Sequence, residues 1–104
     1  MPNWITVADK NEIPDGGHKV VEVDGRQVAV FNVKGEFLAI EDVCTHDGAE
    51  LAGEGVVEGD TIVCPRHGAK FCLRTGAVLE PPAYEPVPTF EVRVEDNEIR
   101  ISVN

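Results

Sequence analysis

A chain of 104 residues is the usual size of one domain and leaves no room for a second core, so any function has to fit in one unit. Its 19 acidic residues against 9 basic ones, a formal net charge of -10, would repel a phosphate backbone and exclude nucleic acid as a partner. Three cysteines leave an odd one over, the start MPNWITVADK lacks a cationic region followed by an apolar run, and no apolar stretch reaches membrane length; the expectation is a cytoplasmic, monomeric protein with reduced thiols and no membrane association.

Taken in chain order, the elements are almost all strands. Asp9 with Glu12 three residues later makes a capping box, a brief helical signal that Pro14 soon stops. His18 lies beside Gly16-Gly17 in an apparent turn and reads as a surface residue. The run from Gln27 to Val33 (QVAVFNV) is apolar on both alternations except at Asn32, which suggests a central strand covered on both faces. Asp24-Gly25 before it and Lys34-Gly35 after it are expected hairpin turns. Phe37 to Glu41 (FLAIE) and Thr61 to Val63 (TIV) are further strand-like runs. Phe90, Val92 and Val94 alternate with charged residues, Ile99, Ile101 and Val103 do so again, and Asp96-Asn97 between them carries turn chemistry. Many short strands punctuated by Gly, Asp and Pro predict an all-β protein, an antiparallel sandwich or small barrel.

Two stretches depart from this pattern, Cys44-Thr45-His46-Asp47-Gly48 and Cys64-Pro65-Arg66-His67-Gly68. Together they read C-x-H, 17 intervening residues (47 to 63), then C-x-x-H, and each follows a strand-like run. Two of the three cysteines and two of the three histidines therefore fall in two Gly-terminated turns, and each turn offers one soft thiolate and one imidazole. Gly48 and Gly68 let the backbone turn sharply, and Pro65 fixes its own φ. Two thiolates and two imidazoles could form a tetrahedral zinc site, although zinc knuckles pair two cysteines on one turn. The same set also suits a [2Fe-2S] cluster with cysteines on one iron and histidines on the other.

At these residues the sequence resembles the Rieske iron-sulfur proteins, and over nearly its whole length, including the stretch GAKFCLRTGAVLEPP, it is similar to the small Rieske-type ferredoxins of bacterial aromatic-ring dioxygenases. The resemblance implies that Cys44 and Cys64 hold the buried iron and His46 and His67 the outer iron of one [2Fe-2S] cluster. It also implies a single domain over residues 1–104, an antiparallel two-sheet sandwich with a small cluster-binding subdomain. The cluster-binding loops would lie at about 42–49 and 63–71, with a proline loop at about 81–88 covering the cluster.

Two neutral imidazoles in place of two thiolates leave the oxidised cluster less negative, which raises its potential above that of four-cysteine clusters. The second nitrogen of each ring can carry a proton, so the resemblance further implies a potential that falls with rising pH. High-potential members resemble C-T-H-x-G-C and C-P-C-H-G-S-x-Y, with a disulfide between the loops and two hydroxyls donating to sulfur. Here Ala49, Arg66, Ala69 and Phe71 occupy those positions, which implies a potential near the low end of the Rieske range, on the order of -150 mV.

Once His46 and His67 are ligands, only His18 remains, so the two-histidine, one-carboxylate site of an oxygenase cannot be built. There is also no Rossmann fingerprint and no nucleophile-base set. The expected function is a one-electron carrier, not an enzyme, taking electrons from a flavin-dependent ferredoxin reductase and giving them to a terminal Rieske oxygenase. An accessory ferredoxin or small subunit of another redox enzyme, in nitrite reduction or iron-sulfur assembly, and a zinc-stapled interaction module are the alternatives. Cys72 reads as an inert thiol, Trp4 as a packing anchor and Asp47 as a solvated carboxylate or part of a docking rim.

Overall fold

Alternating and β-branched runs become strands from one end of the chain to the other. A computed structural model describes residues 3–43, 51, 55–64, 68–81 and 85–103. Among these residues the strands are β1 (Asn3–Asp9), β2 (His18–Val23), β3 (Arg26–Val33), β4 (Glu36–Glu41), β5 (Val56–Glu58), β6 (Thr61–Val63), β7 (Lys70–Cys72), β8 (Val78–Glu80), β9 (Thr89–Phe90), β10 (Val92–Glu95) and β11 (Glu98–Val103). A single 3-10 turn over Lys10–Glu12 interrupts them. There the Asn11 N–H donates to Asp9 Oδ1 (3.0 Å) and the Asp9 N–H to Glu12 Oε1 (3.1 Å), the reciprocal box that the Asp-x-x-Glu spacing predicts.

All strand pairing is antiparallel, in three sheets ordered β1-β11-β10, β2-β3-β4-β9 and β5-β6-β7-β8. The first two sheets form the expected sandwich, and the third is the smaller unit that carries Cys64 at the end of β6. Three hairpins form at the expected residues: Asp24-Gly25 (φ 51° and 77°), Lys34-Gly35 (53° and 88°) and Asp96-Asn97 (53° and 67°). Positive φ at both central residues matches the right-handed twist of the flanking strands.

The middle sheet is buried on both faces, which explains the unbroken apolar run in β3. Val28 and Val30 face Ile99, Ile101 and Ala8 of the first sheet. Ala29, Phe31 and Ile40 face Ile62, Phe71 and Cys64 of the third. Asn32, the polar exception in that run, is 8% exposed and satisfied on every side. Its amide donates to the Ile13 carbonyl (2.8 Å) and accepts from the Gly35 N–H (2.8 Å), and its backbone exchanges hydrogen bonds with Gly16 and Gly17. A buried polar side chain is tolerated here because it ties the Pro14–Gly17 turn to the β3–β4 hairpin.

One expectation is corrected. The alternation from Phe90 to Glu95 suggests a single strand, but Thr89–Phe90 pairs with β4 and Val92–Glu95 with β11. The chain changes sheet at Glu91, whose carbonyl accepts the Ser102 N–H at 3.0 Å. Period-2 patterning survives the corner because Phe90 and Val92 pack on the same core, while Val94, past the corner, is exposed at 43%.

Candidate metal centre

Cys64 is the ligand candidate whose surroundings are described; Cys44, His46 and His67, with Asp47, Gly48 and Pro65, lie outside the described residues. The local sequence delivers Cys64 inward. In the short strand Thr61–Val63, Ile62 points into the core, and the next residue but one, Cys64, is 1% exposed among Leu51, Ala69, Phe71 and Leu73. The turn beyond it is cross-linked at its root: the Cys64 N–H donates to the Ala69 carbonyl (2.7 Å) and the Gly68 N–H to the Cys64 carbonyl (3.1 Å). Gly68, at φ 77°, supplies the left-handed conformation this closure needs.

The first loop is rooted on the same core. Val43, the residue before Cys44, packs against the cluster that contains Cys64, and Leu51 at the far end is fully buried in it. Asp42, only 4% exposed, links the two ends: its Oδ1 accepts the Leu51 N–H at 2.8 Å. Sequence reasoning did not single out Asp42. The available signal was an acidic pair, Glu41-Asp42, closing an apolar strand two residues before a cysteine, but which of the two is buried was not legible there.

The third loop is held by Gly76, at φ 77°. Its N–H donates to the Cys72 carbonyl (2.7 Å) and its carbonyl accepts the Val87 N–H (2.9 Å), while the Pro88 carbonyl accepts the Glu41 N–H (2.9 Å). A Cβ at Gly76 would overlap the Val87 carbonyl oxygen. Val87 is buried beside Cys64 in the shared core, so the segments flanking all three loops converge on one apolar floor. Such a floor, with a buried thiol rising from it, fits a sulfur-ligated iron cluster: thiolate is the soft donor such clusters take, and apolar walls exclude water from the sulfur. Ala69 and Phe71, where high-potential members of the resembled family carry hydroxyl donors, are both fully buried and offer none.

Charges frame this unit from outside. The Arg74 guanidinium donates to Glu36 Oε2 (2.6 Å) on β4 and to Asp60 Oδ2 (3.1 Å) on the β5–β6 turn, strapping the third sheet to the middle one. Its hydrogen bond holds the Glu36 carboxyl below the usual carboxylate range. Cys72, half-buried on β7, is a second thiol with a different character. Burial pushes its pKa up, but hydrogen bonds from the Thr75 hydroxyl and N–H and from the Arg74 N–H outweigh that and leave it below the usual 9.0. Trp4 is half-buried with the Arg93 guanidinium carbon 4.2 Å from its ring centre, a packing contact as expected. His18 is exposed at the start of β2, its ring 5.9 Å from that of Phe31. Among the described residues no helix is long and apolar enough to cross a membrane.

Three sheets carry three loop roots on one core, one of them bearing a buried cysteine. The chain belongs to the Rieske [2Fe-2S] domain family, which it matches over residues 3–91, and its cofactor is therefore one [2Fe-2S] cluster. It is 44% identical over 103 residues to the 3-phenylpropionate/cinnamic acid dioxygenase ferredoxin subunit of Escherichia coli (strain K12), covering 97% of this chain and 94% of that one. To the biphenyl dioxygenase ferredoxin subunit of Pseudomonas sp. (strain KKS102) it is 41% identical over 91 residues, 88% of this chain and 84% of the other. The solved ferredoxin of carbazole 1,9a-dioxygenase from Nocardioides aromaticivorans IC177 superposes with a TM-score of 0.90 at 31% identity, covering 99% of this chain and 98% of that one. These relatives are ferredoxin components from end to end, and this chain is likewise an electron-transfer component rather than a catalytic oxygenase.

Proposed function

We propose that the chain is a low-potential, one-electron ferredoxin that accepts electrons from a flavin-dependent reductase and delivers them to a terminal ring-hydroxylating oxygenase. The observation that carries this reading is the end-to-end match, in sequence and in shape, with free-standing ferredoxin components of aromatic dioxygenase systems. A chain related in shape, at 36% identity and a TM-score of 0.88, comes from a complex of reduced oxygenase and oxidized ferredoxin in carbazole 1,9a-dioxygenase. When bound, the cluster supplies a one-electron redox couple.

The protein's own residues do the rest. Cys44 and Cys64 serve as thiolate ligands and His46 and His67 as imidazole ligands, an assignment supported by the buried setting of Cys64 and by the C-x-H and C-x-x-H spacing. The apolar floor of Leu51, Ala69 and Phe71 keeps water from the Cys64 sulfur, and the missing hydroxyl donors leave electron density on the cluster and ligand sulfurs less stabilised. The unit is one domain over residues 1–104, working as a cytoplasmic monomer. The freshly purified protein should be red-brown, hold iron and acid-labile sulfide in equal amounts, bleach with dithionite, and show a midpoint on the order of -150 mV. A colourless protein that also fails reconstitution with iron and sulfide would sink the reading; a clearly positive midpoint would sink its low-potential part.

A further inference from the structure

Asp42 is a carboxylate where a folded protein rarely keeps one: 4% exposed, just past the end of β4, hydrogen-bonded to a fully buried Leu51. Its backbone is fixed independently of its side chain, because the Asp42 N–H donates to the Gln27 carbonyl (2.8 Å) and the Val43 N–H to the Glu41 carbonyl (2.8 Å). The side chain is therefore not needed to end the strand. Its oxygen instead reaches across nine positions to the Leu51 N–H, 2.8 Å away, in a buried hydrogen bond. Those two residues bracket Cys44 and His46. The root of the second loop is joined by backbone, the Cys64 N–H donating to the Ala69 carbonyl over five positions, whereas Asp42 joins to Leu51 through its side chain.

We propose that Asp42 is a positioning residue for the cluster, acting through its Oδ1 as the acceptor that clamps the two roots of the first ligand loop. This rests on the assignment of Cys44 and His46 as ligands. An open loop would have to be ordered at each rebinding of its ligands, whereas a clamped one is held ready, so the clamp slows cluster loss. In this role Oδ1 acts as an acceptor for a backbone N–H.

The test compares wild type, Asp42→Asn and Asp42→Ala for iron and sulfide per chain as purified, for the rate of visible bleaching under an iron chelator, and for far-ultraviolet circular dichroism. Asp42→Asn keeps an Oδ1 acceptor and is expected to bleach within about three-fold of wild type, while Asp42→Ala bleaches about ten-fold faster or more, the effect of one buried hydrogen bond. Wild-type rates in a folded Asp42→Ala, or equally fast loss in a folded Asp42→Asn, would overturn the proposal. If Asp42→Ala does not fold, Asp42→Asn alone decides it: wild-type retention supports the acceptor role and rapid loss overturns it. A wild-type protein that holds no iron and also fails reconstitution with iron and sulfide would instead overturn the ligand assignment itself.

Discussion

Cys64 and Cys72 show how one residue type takes two roles eight positions apart. Cys64 sits at the apolar floor where three loop roots meet, and Cys72 lies half-buried on the third sheet among hydrogen-bond donors from Thr75 and Arg74. If Cys64 holds iron, Cys64→Ser should yield protein whose iron and sulfide fall to background, whereas Cys72→Ser should keep wild-type content; the assay is metal analysis of unreconstituted protein. A Cys64→Ser variant with full iron would remove this cysteine from the ligand set. At this scale the sequence was informative about identity and silent about surroundings. The C-x-x-H spacing singled out Cys64, while the burial of Asp42 depends on segments distant in the chain and the depressed thiol of Cys72 on how the Arg74–Thr75 turn folds back on it.

Turns were the most legible elements. Asp24-Gly25, Lys34-Gly35 and Asp96-Asn97 form hairpins where local chemistry places them, because positive φ is a property of the turn residues themselves. Gly25 and Gly76 share a φ of 77°, but their settings differ: nothing lies near a Cβ at Gly25, whereas one at Gly76 would meet the Val87 carbonyl. Gly25→Ala should therefore cost about 1 kcal/mol, backbone strain alone. Gly76→Ala should cost about 3 kcal/mol, since strain and a backbone clash add and the third loop loses its anchor. Denaturant unfolding of both variants checks this, and equal costs would show that the Gly76–Val87 contact is not tight. The corner at Glu91 was not legible, because both halves of that run present apolar residues to the same core and the alternation continues through the change of sheet.

Across the whole molecule, stability depends on how the third sheet is fastened to the sandwich. One fastening is the apolar core around Phe31, Ile40 and Phe71, and another is the Arg74 strap to Glu36 and Asp60. Hydrogen bonds from Arg74 and from Lys19 hold the Glu36 and Glu12 carboxyls below their ordinary 4.5 in the folded state. A depressed folded-state pKa stabilises above the unfolded value and loses its effect as pH falls through the folded one. The difference in Tm between wild type and Arg74→Gln should therefore be full above the ordinary carboxylate range and shrink as pH falls below it. A difference constant across that window would show that the strap is not electrostatic.

The sequence by itself determined the all-β class, the hairpin turns, the capping box and the ligand candidates, since each depends on residue type and spacing within a few positions. Tertiary structure decided which strands share a sheet, the change of sheet at Glu91, the tie made by Asn32 and the clamp between Asp42 and Leu51. The physical reason is range. Periodicity and turn chemistry are set by neighbours along the chain, whereas burial and hydrogen-bond partnership are set by segments that meet only when three sheets close on shared cores.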